Sequence, residues 1–208
     1  YLGLSRAERA FTGGEALGED TFLFFRALGV KLKQFYGQTE TCALTAAQAE
    51  GRVQLHTVGR PMQGVELRID ANGEILVRSP SVVDGYFDDA EGTAKAIVDG
   101  WLHTGDAGRI DERGDLIVLG RVSEIVLTAG GERYIPNFIE NRLKFSSFIR
   151  NVAVIGAGRD DLTAIVCIDF DAVGHWAEGQ RLSYTSYADL SQKPQVQALV
   201  GTVIAGVN

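Results

Sequence analysis

The first fifty residues contain a mostly apolar run and an alternating stretch. Residues 21–28, TFLFFRAL, are apolar at most positions, which favours a buried helix. Residues 30–36, VKLKQFY, alternate between apolar and polar positions, as a strand with one buried face does. Gly37 ends this strand and leads into the polar loop QTET. We therefore predict a partial α/β segment over residues 1–50.

Residues 51–121 follow the period of β-strands. Residues 65–69 alternate between apolar and charged side chains, and the apolar pattern resumes at residue 75. Between them, Asn72-Gly73 is a hairpin signal, because both residue types tolerate positive φ. A second hairpin turn is expected near residues 113–115. We predict a β-rich subdomain, small and barrel-like or folded as a sheet, that completes a large domain over residues 1–121.

The pattern changes again after residue 121. The expected elements are a strand over 124–128, a helix over 136–143, strands over 152–155 and 163–170, and a closing helix. Pro194 suits the first turn of the closing helix. Its apolar residues share one face: Val196, Leu199, Val200, Val203, Ile204 and Val207. This order predicts a small, truncated α+β domain over residues 122–208.

Composition and charge narrow the function classes. The 208 residues carry a formal charge of -7 with acidic and basic residues interspersed, so no basic face for nucleic acid is expected. Cys42 and Cys167 lie far apart without a CxxC spacing, which argues against a zinc or redox motif and favours the cytoplasm. No apolar run reaches the ~18 residues of a membrane span. The chain opens at Tyr1 and closes within an apolar helical face, so we expect it to belong to a longer protein.

The strongest chemical signal is YGQTE, residues 36–40, at the predicted end of a strand. In open α/β sheets this end of a strand is where ligands bind. The Tyr36 ring can stack on a base, Gly37 allows close backbone approach, and the Thr39 hydroxyl can bond a phosphate. Glu40 offers a hard oxygen ligand for Mg²⁺. Taken alone, a buried tyrosine followed by a polar turn explains the motif equally well.

Three weaker motifs accompany it. In GWLHTGD, residues 100–106, Asp106 can accept hydrogen bonds from a ribose diol, although an Asx turn or helix cap is the commoner explanation. His103 is interpreted as structural, because the sequence shows no partner for it. Arg121 lies where the pattern changes and can reach a ribose or phosphate. The fourth motif, TGGEA at residues 12–16, has low specificity.

Taken together, TGGEA, YGQTE, GWLHTGD and GRVSEIV…GGERYIPNFIE resemble, in order and spacing, the adenylate-forming superfamily of acyl-CoA synthetases, luciferases and peptide-synthetase adenylation domains. The resemblance covers residues 10–170. FFRALGVKLKQFYGQTET, SVVDGYFDD and RYIPNFIENRLKFSSFIRNVAVIG are similar to the long-chain fatty acyl-CoA synthetases. The resemblance implies activation of a fatty acid with ATP and Mg²⁺ to an acyl-adenylate, then transfer to coenzyme A. Another carboxylic acid as substrate, or a non-catalytic nucleotide-binding module, remains the alternative.

The resemblance also implies roles for individual residues. The expected ATP- or AMP-binding residues are Gly14, Glu15, Tyr36, Gly37, Gln38, Thr39, Asp106 and Arg121. Among them Gly14, Glu15 and Tyr36 would flank the adenine and Thr39 would touch the α-phosphate, while Asp106 and Arg121 would hold the ribose. Glu40 would bind Mg²⁺, and Glu124 falls at the hinge between the two domains. Gly130 and Gly131 match a loop that swings toward the thiol tunnel.

The chain departs from the family at one position and lacks two of its motifs. Ser123 stands where the family has a lysine beside the hinge, so a phosphate contact by that cation is not expected here. Nothing resembles the family's phosphate loop, and neither Lys144 nor Lys193 is in the context of its catalytic lysine. We therefore expect no catalytic residue within these 208 residues and an inactive chain. The expected partners are fatty acid, ATP and coenzyme A, and a fatty substrate is compatible with peripheral membrane association of the longer protein.

Overall fold

The computed structural model describes residues 3–14 and 17–207. Within these residues it contains thirteen β-strands and six α-helices, and the predicted mixture of α/β and α+β structure is confirmed. The chain divides into two compact units, Tyr1–Ser123 and Glu124–Asn208. No helix of the described part of the chain combines the length and the apolar character needed to cross a bilayer.

The first unit opens with a βαβ arrangement. Strands β1 and β2 run parallel, and helix α1 connects them. Helix α1 buries Phe22 and ends at Ala27, and Gly29 beyond it has a φ of +85°, the left-handed conformation common after a helix C-terminus. Two short strands, β3 and β4, continue the sheet on the far side of β2 in antiparallel pairs. The elements of this part are β1 Ala10–Thr12, α1 Glu19–Ala27, β2 Leu32–Tyr36, β3 Ala46–Ala47 and β4 Arg60–Pro61.

The second sheet of this unit is antiparallel throughout and has five strands among the described residues. Its first hairpin turns at Gly73, as predicted, with a φ of +92°. The long strand β8 lies between β6 on one side and β7 and β9 on the other. The elements are β5 Glu66–Ile69, β6 Glu74–Arg78, α2 Ala90–Ala96, β7 Ile97–Val98, β8 Trp101–Ile110 and β9 Leu116–Arg121.

One apolar core joins the two sheets of the first unit. Tyr36 and Ala46 from the first sheet pack with Ile75, Val77 and Leu116 from the second. All five residues are buried. The carboxyl end of β2 is therefore fixed directly against the middle of the second sheet, and this contact positions the site described below.

The second unit contains two small antiparallel sheets and four α-helices among its described residues. One core surrounds Val173, Leu190 and Val196, and another surrounds Leu143 and Val152. The closing helix contributes to both, because Val196 packs in the first and Val203 in the second. The elements are β10 Val126–Leu127, β11 Arg133–Tyr134, α3 Pro136–Lys144, β12 Ile149–Ile155, β13 Thr163–Ile168, α4 Phe170–Gly179, α5 Tyr187–Ser191 and α6 Pro194–Ala205.

Several predicted boundaries in the second unit were wrong. The strand expected over 163–170 ends at Ile168, because the Asp169 carboxylate caps helix α4 by accepting a hydrogen bond from the Ala172 N–H at 3.0 Å. Helices α4 and α5 were not predicted. The strand expected over 124–128 is limited to β10, since Val122–Glu124 forms a 3₁₀ turn. Strand β12 begins three residues earlier than expected, at Ile149 rather than residue 152.

Candidate functional site

Tyr36 is the last residue of β2, and its ring belongs to the core of the first unit. Along β2 the side chains of Leu32, Gln34 and Tyr36 point to one buried face, as the alternation predicted. Tyr36 is only 8% exposed. Its phenol therefore reaches the polar site from within the apolar core, and little of the ring is open to a ligand.

The turn after β2 is closed by its own backbone and side chains. A Cβ atom on Gly37 would lie 2.1 Å from the Ala43 carbonyl oxygen, so only glycine fits there. Residues Thr39–Thr41 form a 3₁₀ turn, in which Gln38 N–H donates to Thr41 Oγ1 at 3.0 Å. Gly37 was interpreted as a point of close approach to a ligand. In this structure the close approach is made by the chain's own Ala43.

Asp106 lies inside strand β8, and not in the turn or helix cap that the sequence suggested as the alternative. Opposite β6 the register of β8 shifts, so that Leu76 pairs with His103 while Glu74 pairs with Ala107. The extra residues form a β-bulge, in which Gly105 has a φ of +69°. The bulge turns the Asp106 side chain toward the end of β2.

Three donors converge on the Asp106 carboxylate. Tyr36 Oη and Gln38 Nε2 each donate to Oδ2 at 2.7 Å. Arg121 Nη1 pairs with Oδ1 at 3.0 Å, from the end of strand β9. Gln38 Nε2 also donates to the Thr104 carbonyl at 2.9 Å. The structure thus brings together four residues that the sequence placed in one nucleotide site.

The electrostatics of this cluster keep the tyrosine protonated. Burial, and next the negative charge of Asp106, raise the pKa of Tyr36 far above its ordinary value. The phenol therefore donates to Asp106 at every physiological pH. Asp106 itself is 8% exposed, so its charge is stabilised by these donors and not by bulk water.

Glu40 lies on the 3₁₀ turn and contacts a second loop. Its Oε1 accepts a hydrogen bond from Tyr86 Oη at 3.0 Å, and its carbonyl accepts one from the Val83 N–H at 2.9 Å. The hydrogen bond to Glu40 raises the pKa of Tyr86. Within the described residues no group of three His, Cys, Asp or Glu side chains is arranged to hold a metal. A lone, half-buried carboxylate suits Mg²⁺ when phosphate oxygens and water supply the other ligands.

The other predicted site residues are not in this cluster. Gly14 is exposed with a φ of +89°, and Glu15 lies outside the described residues. Thr39 is exposed on the 3₁₀ turn. In the second unit, Glu124 is the first residue, while Gly130 and Gly131 occupy the turn between β10 and β11.

Glu74, Thr104 and Tyr86 were missed by sequence reasoning. The buried carboxylate of Glu74 bonds His103 Nδ1 at 3.0 Å, which gives the histidine a partner that the sequence did not reveal. No local signal marks these residues, because each acts on a side chain or backbone group of another element. Strand β6 does not alternate, because Glu74 and the three residues after it are all buried, so its pattern did not single out Glu74.

Several longer solved structures share the fold of this chain over part of their length. A solved structure of O-succinylbenzoate coenzyme A synthetase (MenE) from Bacillus subtilis, in complex with AMP, matches 87% of this chain and 37% of its own length, with a TM-score of 0.64 and 25% identity. Apo MatB from Rhodopseudomonas palustris matches 82% of this chain and 38% of its own, with a TM-score of 0.65 and 30% identity.

Sequence comparisons agree with the structural ones. The sequence model of the family described as AMP-binding enzyme matches residues 2–87. The long-chain-fatty-acid–CoA ligase FadD15 of Mycobacterium bovis is 34% identical over 200 residues, which are 96% of this chain and 33% of that protein. The chain belongs to the AMP-binding, adenylate-forming superfamily, near the fatty acyl-CoA synthetases. The chain spans about a third of the length of the curated relatives it matches, since it covers 33% of FadD15.

Proposed function

We propose that this chain supplies the ribose- and adenine-binding part of an ATP-dependent acid–CoA ligase that activates a fatty acid. The observation that carries the proposal is the buried Asp106 carboxylate, held at fixed positions by Tyr36, Gln38 and Arg121. Membership of the superfamily supports the reaction class, and the fatty-acid–CoA ligases among its relatives support the substrate class.

The two oxygens of Asp106 have different roles in this proposal. Oδ2 already accepts two short hydrogen bonds from the protein, so it anchors the carboxylate. Oδ1 pairs with Arg121, whose side chain is 60% exposed, so this oxygen faces the open side of the site. A carboxylate oxygen accepts about two hydrogen bonds. One hydroxyl of the ribose diol would therefore donate to Oδ1, which it would share with the guanidinium.

The remaining groups would bind the base and the phosphates. Only one edge of the Tyr36 ring would touch adenine, since the ring is 8% exposed. The exposed Thr39 hydroxyl would donate to the α-phosphate. Glu40 would hold Mg²⁺ together with phosphate oxygens, with Tyr86 fixing its carboxylate. When bound, the ion would offset the negative charge of the phosphates.

The proposed reaction has two steps. The oxygen of the fatty-acid carboxylate attacks the α-phosphorus of ATP, forming the acyl-adenylate as the bond to pyrophosphate breaks. The thiol of coenzyme A then attacks the acyl carbon, loses its proton and releases AMP. The residues of this chain bind and orient the nucleotide in both steps.

The second unit would change its position between the two steps. In the proposal Glu124 acts as the hinge residue, and the turn with Gly130 and Gly131 approaches the thiol in the second step. A few residues at the end of an element suffice to absorb such a rotation. Ser123 beside the hinge offers no cation to the phosphates. We place the ligase in the cytoplasm, with peripheral access to membranes that hold its fatty substrate.

Calorimetric titration of the 208-residue chain with AMP tests the nucleotide site. The wild-type chain is expected to bind AMP, and Asp106→Asn to bind it at least about tenfold more weakly, because the charged acceptor is lost. Asp99→Asn, at an exposed position, is the matched control and should bind as the wild type does. Equal affinity of wild type and Asp106→Asn, or no binding by the wild type, would refute the site.

Activity is tested separately from binding. Because we recognise neither the phosphate loop nor the catalytic lysine of the family in this sequence, we expect the chain to release no pyrophosphate from ATP, Mg²⁺ and a fatty acid above a blank without protein. Measurable release would show that the 208 residues contain a catalytic group that we have not recognised.

A further inference from the structure

Glu74 is a buried carboxylate that bonds two points of the β8 bulge. It is the first residue of β6 and is 8% exposed. Its Oε1 accepts a hydrogen bond from the Gly105 N–H at 2.8 Å, and its Oε2 bonds His103 Nδ1 at 3.0 Å. Gly105 directly precedes Asp106, so Glu74 holds the backbone that carries the proposed ribose-binding carboxylate.

The bulge needs side-chain acceptors because it interrupts the backbone ladder. Between the pairs Leu76–His103 and Glu74–Ala107, three residues of β8 face the single residue Ile75. The donors freed from the ladder must find other partners or remain unbonded at a cost. The Asp106 N–H donates to Thr104 Oγ1 at 3.1 Å, and the Gly105 N–H donates to Glu74.

Glu74 is itself firmly anchored at the preceding hairpin. Its N–H donates to Asn72 Oδ1 at 2.8 Å, and its carbonyl accepts from the Asp70 N–H at 2.8 Å. Strand β8 adds a bond to the same hairpin, from the Gly108 N–H to the Gly73 carbonyl at 3.0 Å. The carboxylate therefore links the hairpin to the β8 bulge, at whose centre Gly105 has a left-handed φ.

We propose that Glu74 is a positioning residue for the ribose site, acting through the Gly105 N–H and the direction of Asp106. This inference rests on the function proposed above. The length of the side chain is the essential property, since the carboxylate must reach both His103 and Gly105. The charge matters less, because a glutamine oxygen accepts the same N–H bond and its amide can donate to a neutral His103 nitrogen.

The test compares AMP with 2′,3′-dideoxyadenosine 5′-monophosphate, which lacks the hydroxyl groups that Asp106 would bind. Calorimetric titrations of the wild-type chain should show an AMP affinity about tenfold or more above that of the dideoxy nucleotide. In Glu74→Ala, AMP affinity should fall about fivefold or more while dideoxynucleotide affinity stays unchanged. A general loss of structure would lower both affinities together, and that result would overturn the proposal.

Two further variants separate length from charge. Glu74→Gln keeps the reach and should retain the preference for AMP. Glu74→Asp keeps the charge but is one methylene shorter, so it should lose most of that preference. These two variants also decide the question if Glu74→Ala does not fold. Glu66→Gln, on the neighbouring strand and exposed, is the matched control and should behave as the wild type does.

The outcomes distinguish the two proposals. A wild-type chain without any preference for AMP would overturn the ribose site, and the role of Glu74 with it. A wild-type preference that survives unchanged in Glu74→Ala, or in Glu74→Asp, would leave the ribose site standing and refute the positioning role alone.

Discussion

Two tyrosines of this chain donate to carboxylates in different surroundings, and they form a matched pair for mutation. Tyr36 donates to Asp106 at 2.7 Å and is 8% exposed, whereas Tyr86 donates to Glu40 at 3.0 Å and is 42% exposed. Replacement by phenylalanine removes one hydroxyl in each case. If burial determines the value of the hydrogen bond, the two variants should differ clearly in stability.

The magnitude follows from what each variant leaves behind. A buried hydrogen bond to a charged group contributes about 1.5–3 kcal/mol. In Tyr36→Phe, Asp106 keeps Gln38 and Arg121, so a loss near the lower end, about 1.5–2 kcal/mol, is expected. In Tyr86→Phe, water replaces the phenol at Glu40, and the change in stability should stay below about 0.5 kcal/mol.

Urea unfolding at pH 8, followed by tryptophan fluorescence, measures this difference. The chain has two tryptophans, Trp101 in the first unit and Trp176 in the second. A Trp176→Phe background therefore makes the signal specific for the unit that contains both tyrosines. Equal destabilisation by Tyr36→Phe and Tyr86→Phe would refute the argument that burial sets the strength of the Tyr36–Asp106 bond.

Two further predictions concern the same end of β2. Because the pKa of Tyr36 is raised in the folded chain, the unfolded chain loses the phenol proton at a lower pH. Above pH ~10 the free energy of unfolding of the wild type should therefore fall by about 1.4 kcal/mol per pH unit more than that of Tyr36→Phe. Parallel pH curves of the two proteins in urea unfolding would contradict this. Gly37→Ala should lower the free energy of unfolding by at least about 2 kcal/mol and weaken AMP binding, because the added Cβ would lie 2.1 Å from the Ala43 backbone. The control Gly201→Ala, at an open helical position, should raise that free energy by about 0.5–1 kcal/mol. A Gly37→Ala variant as stable as the wild type would refute the clash.

The elements that sequence analysis found are those with a clear apolar period. Strand β2 and the hairpin at Gly73 have such a period or turn signal, and they were predicted. Helix α1 was predicted from its apolar run as a buried helix, and that part was wrong, because only one face packs on the sheet and Leu23 and Phe24 are exposed. Helix α2 has the sequence AEGTAKA and buries none of its residues, so no apolar stripe marks it. Helix α4 follows a strand with only the Asp169 cap between them, and the apolar Phe170 was assigned to the strand.

The site was predictable only in part, for a related reason. Tyr36 and Asp106 are 70 positions apart, and their contact depends on the packing of two sheets that no local pattern specifies. The order of the motifs, through their resemblance to a family, placed these residues together. Glu74 lacked even that signal, because its role depends on a bulge in the neighbouring strand.

The Asp106 carboxylate connects the stability of the first unit with its proposed function. Burying a charge is costly unless hydrogen bonds and an opposite charge offset the loss of water. Here the donors come from the end of β2, from the turn after it and from β9. The bonds that stabilise the charge therefore also connect the two sheets at the site. A nucleotide that donates a ribose hydroxyl to Oδ1 would therefore enter a site whose acceptor is already oriented, and only the exposed Arg121 side chain would need to rearrange. The affinity gained from the ribose should therefore depend on the orientation of Asp106 as well as on its charge. This is why displacement of the β8 bulge, and not only a change at the carboxylate, should weaken binding.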